Sequence, residues 1–402
     1  MIHPIRTWGI MHKMVVRLAL LALVLGVAGL WTFRLWPAPP RPAQVVPTIE
    51  IARGSAGGGV AIELVPPAEG LAVVPMLVTG RASAGAKGAL MQEWPGFHVE
   101  ARFSGTEIRV RFQDASNRWR VLVDEGRTAR IDLSRPGAQD LRLRGLSDGE
   151  HRLRVEKTSE SSMPASFGGV LAGPGTRGLP APEPRARLIE FIGDSDTVGF
   201  ANGAEWRDCT EGEVFSSTDT TRSFGPQVAQ ALGADYRIIA RSGIGLLRNY
   251  GGAKPGATMA SRYGLALPSE PAATRLPQKP ADIVVTGLGS NDFGSDFDLS
   301  EPWTDQQALS RDFQAALVRF LRERVRENPG ALQVLLAFGE YGAPLVSPYS
   351  AALDSLKADG ARAVLVVLPK LDRTACFWHP SADDHAMIRD QILAAILAAG
   401  ES

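Results

Sequence analysis

The chain has 402 residues, of which 45% are hydrophobic and 21% are charged. This composition is ordinary for a globular protein, and the length is sufficient for two domains. The 43 Lys and Arg residues balance the 43 Asp and Glu residues, so the net charge is zero. Such a chain gives no basis for nucleic-acid binding, and nucleic acid is not an expected partner.

The amino-terminal segment predicts export or membrane anchoring. Basic residues precede an apolar run at 18–33, and Gly26-Val27-Ala28 offers a small-residue cleavage site. Residues 1–36 are therefore either a cleaved signal peptide or a retained membrane anchor. The protein is expected to be periplasmic or secreted, or held at the inner membrane by this segment. The proline-rich residues 37–70 are predicted to be a linker.

Residues 71–180 predict an all-β domain. Apolar and polar residues alternate in short runs at 98–103, 108–112 and 119–123, and glycine-containing turns separate them. Short strands at this spacing predict a jelly-roll sandwich. The arginines on the alternate face are interpreted as a solvated sheet surface, and a glycan-binding face is the alternative.

Residues 184–402 predict a three-layer α/β/α domain. Short apolar runs alternate with helical patterns, which is typical of a parallel sheet with helices on both faces. The predicted strands are 188–192, 236–240, 283–286, 334–336 and 363–368, and the predicted helices are near 224–232, 306–327, 349–358 and 381–399. Ligands of such sheets bind beyond the carboxyl ends of the strands.

Four polar motifs follow these strands or precede the last helix. They are Gly193-Asp194-Ser195, Ser242-Gly243, Gly289-Ser290-Asn291-Asp292 and Trp378-His379-Pro380-Ser381. Acyl transfer needs a nucleophile, a base that takes its proton, and donors aimed at the developing oxyanion. The four motifs contain all three kinds of group at positions where the sheet would bring them together.

Ser195 is the candidate nucleophile, and His379 is the candidate base because it lies in a loop. His385, inside the last predicted helix, is the alternative base. The backbone N–H groups of Ser195 and Gly243 and the side-chain amide of Asn291 are the candidate oxyanion donors. The alternative reading is that these glycine and asparagine residues only form turns.

One further motif is rejected. Residues 145–149 match the G-x-S-x-G nucleophile elbow, but that motif requires a turn from a strand to a helix. Here it lies between two alternating runs, where a hairpin is expected.

Together the four motifs resemble the conserved blocks of the SGNH (GDSL-type) hydrolases. A β-sandwich that runs into Gly193-Asp194-Ser195, together with Cys376-Phe377-Trp378-His379, resembles carbohydrate esterase family two more closely. The resemblance covers roughly residues 75–398. It implies that Ser195 is the nucleophile, that His379 is the general base, and that Gly243 and Asn291 complete the oxyanion hole.

Two positions depart from these families. Cys376 stands where SGNH hydrolases usually have an Asp, and family two esterases commonly share this absence. Those esterases orient the imidazole through a backbone carbonyl near a tryptophan, which here is Trp378. Phe377 stands where they typically have Asp, which leaves substrate choice open. Asp292 and Asp372 are the alternative acids.

Cys209 and Cys376 are the only cysteines. Both lie in loops of the α/β half of an exported chain, so a disulfide that pins the histidine loop is predicted, with two free buried thiols as the alternative. No histidine–cysteine spacing matches a metal site, and neither a metal nor a cofactor is expected.

Substrate contacts are predicted from exposed-type residues near the motifs. Trp378, Trp303 and Tyr250 are candidate sugar platforms, and Asp292 is a candidate polar contact. The functional hypothesis is an exported esterase that removes O-acetyl groups from a polysaccharide or oligosaccharide through an acyl-enzyme. The alternatives are a lipase or thioesterase of SGNH type and a non-catalytic glycan-binding protein. The sequence assigns neither the glycan nor an oligomeric state.

Overall fold

The computed structural model describes residues 48–51 and 59–401, and the predicted signal or anchor lies outside the described residues. Within that part of the chain, no helix is both long and apolar enough to cross a membrane. Its first half forms two antiparallel sheets of seven strands each. In chain order, strands β1 to β14 are Thr48–Ile51, Ala61–Val65, Ala72–Val73, Met76–Thr79, Ala82–Ala84, Leu90–Gln92, His98–Ser104, Glu107–Asp114, Arg118–Val123, Ala129–Ser134, Gly137–Arg144, Glu150–Lys157, Ala165–Ala172 and Arg177–Gly178.

The two sheets enclose an apolar core. One has the order β1-β10-β9-β12-β7-β14, with β4 also paired to β7, and the other has the order β2-β11-β8-β13-β6-β5, with β3 also paired to β13. Burial alternates along β7 and β8 because successive side chains point to opposite faces. Aromatic rings fill the centre, where Trp119 stacks on Phe167 with ring centroids 5.5 Å apart and Phe112 contacts both.

Arginines of the sandwich pair with carboxylates on neighbouring strands. Arg111 donates to Asp140, directly opposite it on β11, at 2.7 and 2.9 Å. Arg154 of β12 pairs in the same way with Glu100 of β7. Opposite charges that face each other across strands stabilise a sheet, so these arginines serve as cross-strand partners.

The predicted linker, residues 37–70, is too long at its carboxyl end. Strand β1 pairs antiparallel with β10, and β2 pairs with β11. Ile49, Ile62 and Leu64 pack against the sandwich core. The proline density of residues 37–47 masks the alternation that follows, which is why composition alone misassigns both edge strands.

The second half forms one parallel sheet flanked by helices. Strands β15 to β19 are Leu188–Gly193, Asp235–Ala240, Ile283–Gly287, Leu332–Phe338 and Ala363–Leu368. Helices α1 to α8 are Ser195–Val198, Glu211–Ser217, Phe224–Ala231, Met259–Arg262, Ser290–Phe293, Gln306–Glu327, Ala343–Ala358 and Ala382–Ala398. Strands β17 and β18 are buried along their whole length, as in a sheet covered on both faces.

The order of the strands determines where a site can form. It is β16-β15-β17-β18-β19, and every neighbouring pair is parallel. After β15 the chain forms β16 on one side and then β17 on the other, so the strand order reverses at β15. A crevice opens beyond the carboxyl ends of the strands at such a switch point. The motif Gly193-Asp194-Ser195 lies there.

Helix α7 begins before the predicted start at Tyr349. Pro344 and Pro348 favour a loop in the sequence, because a proline inside a helix removes a backbone hydrogen bond. Pro344 lies in the first turn, where its missing N–H has no intrahelical partner to lose. Pro348 has no N–H to donate to the carbonyl of Pro344 four residues earlier. That carbonyl instead accepts a hydrogen bond from Ser310 Oγ at 2.7 Å.

The sandwich contributes directly to the core of the α/β domain. Trp94, between β6 and β7, belongs to that core, and its Nε1 donates to Leu265 O at 3.1 Å. Gly96 lies so close to β16 that a Cβ there would be 2.8 Å from Ile238 Cγ1. The two domains therefore pack too closely for a side chain at this position.

Candidate active site

Ser195 opens helix α1 at the carboxyl end of β15 and is only 6% exposed. Asp194 caps this helix, and its carboxylate accepts from Asp196 N–H at 3.1 Å and from Ser290 Oγ. Burial and the neighbouring Asp196 carboxylate raise the pKa of Asp194. With its oxygens engaged inside the protein, Asp194 fixes the turn that presents Ser195.

The predicted oxyanion donors flank this turn. Gly243 follows β16 with φ 77°, a conformation that favours glycine, and no atom lies within 4 Å of where its Cβ would be. Its carbonyl accepts from Tyr250 N–H at 3.1 Å. Asn291 Nδ2 donates to Ile244 O at 2.9 Å, which holds the amide against the same loop. An amide nitrogen carries two hydrogens, so a second one can serve an oxyanion.

The prediction that Asp292 binds substrate is wrong. Its carboxylate accepts from the backbone N–H groups of Leu246, Leu247 and Arg248 at 2.9, 2.8 and 2.9 Å. The residue is fully buried, and this burial raises its pKa to about 6 although the three bonds lower it. Asp292 therefore shapes the loop after Gly243 and is not the missing acid.

His379 lies in the loop between β19 and α8. Its Nδ1 is 2.9 Å from Cys376 O, and because a carbonyl can only accept, Nδ1 carries the hydrogen and Nε2 is left as the acceptor. Its ring packs on Phe200, with centroids 4.3 Å apart, just beyond the helix that Ser195 begins. Burial lowers the pKa of His379, although the Asp196 carboxylate opposes this, and a lowered pKa favours the neutral imidazole.

An acid partner is missing from this loop. Cys376, three residues before His379, forms a disulfide with Cys209, and the two Cα atoms are 5.6 Å apart. Asp372 is exposed, and its backbone carbonyl accepts from Arg207 while its N–H donates to Asp384. In the described part of the chain, Ser195 Oγ and His379 Nε2 form no direct hydrogen bond, and such pairs often close only with substrate. The imidazole of His379 is thus oriented by a backbone carbonyl and not by a carboxylate.

A buried ion pair that the sequence analysis missed joins the histidine loop to helix α1. Arg373 donates to Asp196 at 2.8 and 3.2 Å and also reaches Glu340 and, at 3.3 Å, Trp378 O. Burial works against a charged Asp196, but the Arg373 guanidinium outweighs it and lowers the pKa of Asp196. Asp196, the residue after Ser195, thus holds the loop that carries His379.

Asp384 also holds the loop that carries His379. It lies in the first turn of α8 and forms a capping box with Ser381. Its carboxylate also accepts from the backbone N–H groups of Asp372 and Arg373, both at 3.0 Å. The S-x-x-D spacing that starts at Ser381 was a signal for the cap, since this is the pattern of a capping box.

The other sequence candidates lie outside this arrangement. His385 is fully buried, its Nδ1 accepts from Phe224 N–H at 3.2 Å, and burial lowers its pKa to about 4, so it faces helix α3. The G-x-S-x-G match lies between β11 and β12, where Ser147 O contacts His151 Nε2 at 2.9 Å. Among residues 48–51 and 59–401, no group of three or more His, Cys, Asp or Glu side chains could hold a metal ion.

Comparison with known proteins identifies the family. Residues 78–182 match the family model described as carbohydrate esterase 2 N-terminal. A Cellvibrio japonicus protein named acetylxylan esterase / glucomannan deacetylase is 35% identical over 306 residues, which cover 76% of this chain and 83% of that protein. The chain belongs to carbohydrate esterase family 2. It is a carboxylic ester hydrolase that acts on carbohydrates.

Solved family 2 esterases share the two-domain fold. A carbohydrate esterase structure whose active site is described as having catalytic and non-catalytic binding functions aligns with a TM-score of 0.74 and 31% identity, covering 81% of this chain and 98% of that chain. A family two esterase from Clostridium thermocellum in complex with cellohexaose aligns with a TM-score of 0.68 and 27% identity, covering 80% and 98%. These likenesses confirm the predicted fold class of a sandwich followed by an SGNH-type α/β domain.

The aromatic residues of this family 2 esterase divide into two groups. Trp378, next to His379, is 59% exposed, and Tyr250, whose N–H binds Gly243, is 58% exposed. Both remain candidate sugar platforms. Trp303 instead donates to Asp312 Oδ2 at 2.9 Å and packs against the core, so its described contacts support helix α6.

Proposed function

We propose that this carbohydrate esterase removes O-acetyl groups from a polysaccharide or oligosaccharide by a Ser195–His379 mechanism through an acyl-enzyme. The supporting observation is the position of Ser195 at the switch point of the sheet, flanked by the oxyanion candidates. His379 packs on Phe200, which follows the helix that Ser195 begins, and its Nδ1 is bound to a carbonyl, so Nε2 is the basic atom.

The chemistry proceeds in two halves. Ser195 Oγ attacks the ester carbonyl while His379 Nε2 takes its proton, and Gly243 N–H, Ser195 N–H and the Asn291 amide stabilise the oxyanion. The bond to the sugar oxygen then breaks, and His379 returns the proton to that oxygen. A water molecule next gives its proton to His379 and attacks the acyl-enzyme, and His379 returns that proton to Ser195 Oγ as the bond to the acetyl group breaks and acetate leaves.

The substrate class is supported by relatives and by the rim of the site. The Cellvibrio relative is named for acetylxylan and glucomannan, and a similar structure holds cellohexaose. Exposed aromatic rings next to the base suit the apolar faces of sugars. Phe377, with φ 52° and 50% exposure, adds an apolar surface where related esterases carry Asp.

Export is part of the proposal. A disulfide between Cys209 and Cys376 supports it, because such bonds persist in oxidising compartments outside the cytosol. The basic and apolar residues before residue 36 support it from the sequence. Amino-terminal sequencing of the protein recovered from cell fractions would separate cleavage from anchoring, and recovery only from the cytosol would contradict export.

The test is acetate release from a chromogenic acetyl ester and from acetylated xylan and glucomannan. Ser195→Ala is expected to lower kcat by about 10⁴-fold or more. Mass spectrometry of the wild-type protein, quenched in acid shortly after mixing with the ester, should detect acetyl on Ser195. A folded Ser195→Ala variant that keeps full activity would disprove the mechanism, and faster release of long acyl chains than acetate would favour a lipase.

A further inference from the structure

The sandwich reaches the loop that carries Gly243. Glu160, in the segment after β12, accepts two hydrogen bonds from Ser242, one from its backbone N–H at 2.7 Å and one from its Oγ at 2.6 Å. The two residues are 82 positions apart in the chain. The N–H of Gly243 belongs to the peptide bond that joins Gly243 to Ser242. A carboxylate from the other domain therefore holds one end of the peptide that presents an oxyanion donor.

The segment around Glu160 is itself fixed. Ser159 Oγ and Ser161 Oγ, on either side of Glu160, donate to the same Asn117 Oδ1 at 3.0 and 2.9 Å. The buried Lys157 donates to Ser161 Oγ at 2.9 Å and to Glu93 O at 2.9 Å. Both neighbours of Glu160 are therefore held on the sandwich, which fixes the backbone from which its carboxylate extends.

Arg241, the residue before Ser242, also forms hydrogen bonds with the sandwich. Arg241 donates to Glu93 at 2.9 Å and to Ser162 O at 3.2 Å. Residues 241 and 242 are thus both anchored on the sandwich, and Gly243 is the first residue beyond the anchor. Burial raises the pKa of Glu160, although the Ser242 bonds and the Arg241 charge oppose this. Glu160 is half-buried, and the hydrogen bonds from Ser242 together with the Arg241 charge offset the cost of placing a carboxylate there.

We propose that Glu160 is a positioning residue for the oxyanion hole, which orients the Ser242–Gly243 peptide so that Gly243 N–H points at the developing oxyanion. The inference rests on the proposed function. Hydrogen bonds to a carboxylate are short and about twice as strong as neutral ones. A donor that is held in place before reaction costs no reorganisation in the transition state. The sandwich thereby takes part in catalysis from outside the α/β domain.

The test compares four variants of the full chain in hydrolysis of a chromogenic acetyl ester. Glu160→Ala is expected to lower kcat about 10- to 100-fold with little change in KM, because only the transition state uses the oriented donor. Glu160→Gln should restore most of kcat, since its Oε1 can accept from Ser242 N–H and its Nε2 can donate to Ser242 Oγ. Ser242→Ala should lose less than Glu160→Ala, because its backbone N–H still donates.

Gln278→Ala is the matched control. It removes another interdomain hydrogen bond, from Gln278 Nε2 to Gly80 O at 2.7 Å, in the segment that leads into the amino end of β17. Its kcat should equal that of the wild type. The role of Glu160 is overturned if Glu160→Ala behaves like this control, or if Glu160→Gln is as slow as Glu160→Ala.

Folding and the proposed mechanism are separated by two further measurements. If Glu160→Ala does not fold, Ser242→Ala decides: a lower kcat at the same thermal midpoint as Gln278→Ala supports the role, and wild-type kcat overturns it. Ser195→Ala is measured in parallel. Activity in Ser195→Ala would overturn the proposed function, whereas an inactive Ser195→Ala with a normal Glu160→Ala would overturn only the role of Glu160.

Discussion

The Ser195 side and the His379 side of the candidate site are held in different ways. Ser195 and the oxyanion candidates follow strands of one parallel sheet, so the hydrogen bonds of the sheet bring them together. His379 lies in a loop after the edge strand β19, and a disulfide, a buried ion pair and a capping carboxylate hold that loop. The sheet itself brings its strand ends together, whereas the histidine loop at its edge is held by cross-links to other parts of the chain.

The backbone of the histidine loop explains why such ties are needed. Arg373, Phe377 and Trp378 have φ values of 49°, 52° and 58°, in the left-handed region that residues other than glycine seldom adopt. Each such conformation costs of order 1–3 kcal/mol and persists only where surrounding contacts enforce it. The strained loop would relax if the cross-links were cut.

Breaking the ion pair is expected to have the largest effect. Arg373→Gln leaves Asp196 buried without its guanidinium, and the free energy of unfolding should fall by about 3–5 kcal/mol. The side chains of the pair are 14% and 3% exposed. Arg322→Gln is the control, because it breaks the Arg322–Asp359 pair, which is 45% and 44% exposed and is worth about 0–1 kcal/mol. The free energies of unfolding are measured by urea denaturation. If Arg373→Gln and Arg322→Gln lost equal amounts, the difference between the buried and the exposed ion pair would be contradicted.

The second prediction concerns Asn291, which follows a strand of the parallel sheet. Asn291→Ala should lower kcat by about 10²- to 10³-fold because it removes an oxyanion donor. Its stability should fall by only about 1 kcal/mol, since one hydrogen bond to Ile244 O is lost. Steady-state kinetics and thermal unfolding on the same sample would measure both. A large loss of stability would show that the sheet side also depends on single contacts.

Removing the disulfide tests a second cross-link of the loop that carries His379. The bond joins residues 167 positions apart, and its loss in the Cys209→Ser, Cys376→Ser double variant should cost about 2–4 kcal/mol. Dithiothreitol should lower the thermal midpoint of the wild type but leave that of the double variant unchanged. Sensitivity of both proteins to the reductant would mean that another group responds.

The smallest expected effect is a shift in the pH dependence of activity, which is read on the folded protein because Asp196→Asn also weakens the Arg373–Asp196 pair. An imidazole can act as a general base only when it is neutral. Burial lowers the pKa of His379, the Asp196 carboxylate raises it, and the Arg373 charge lowers it. Asp196→Asn should therefore lower the pKa of His379 further and move the acid limb of kcat/KM to lower pH. Asp383→Asn, which removes an exposed charge in the first turn of α8, should leave the limb in place. A shift to higher pH in Asp196→Asn would contradict this electrostatic account.

The sequence predicted those parts of the site that depend on local order. Ser195, Gly243 and Asn291 each follow a strand-like run, and a parallel sheet brings such positions together. The Arg373–Asp196 pair spans 177 residues, and no local pattern marks it. Asp292 was misassigned because a carboxylate that binds backbone N–H groups looks, in sequence, the same as one that binds a ligand.

The position of Trp94 limits how this chain can be divided. Its indole fills the core of the domain that follows it, so a cut near residue 184 would leave a void there. Loss of such a side chain costs about 3–5 kcal/mol, a large share of the roughly 5–15 kcal/mol that stabilises a typical domain. The sandwich and the α/β layer should therefore melt in one cooperative transition, and an engineer who wishes to graft the catalytic half must carry the sandwich with it.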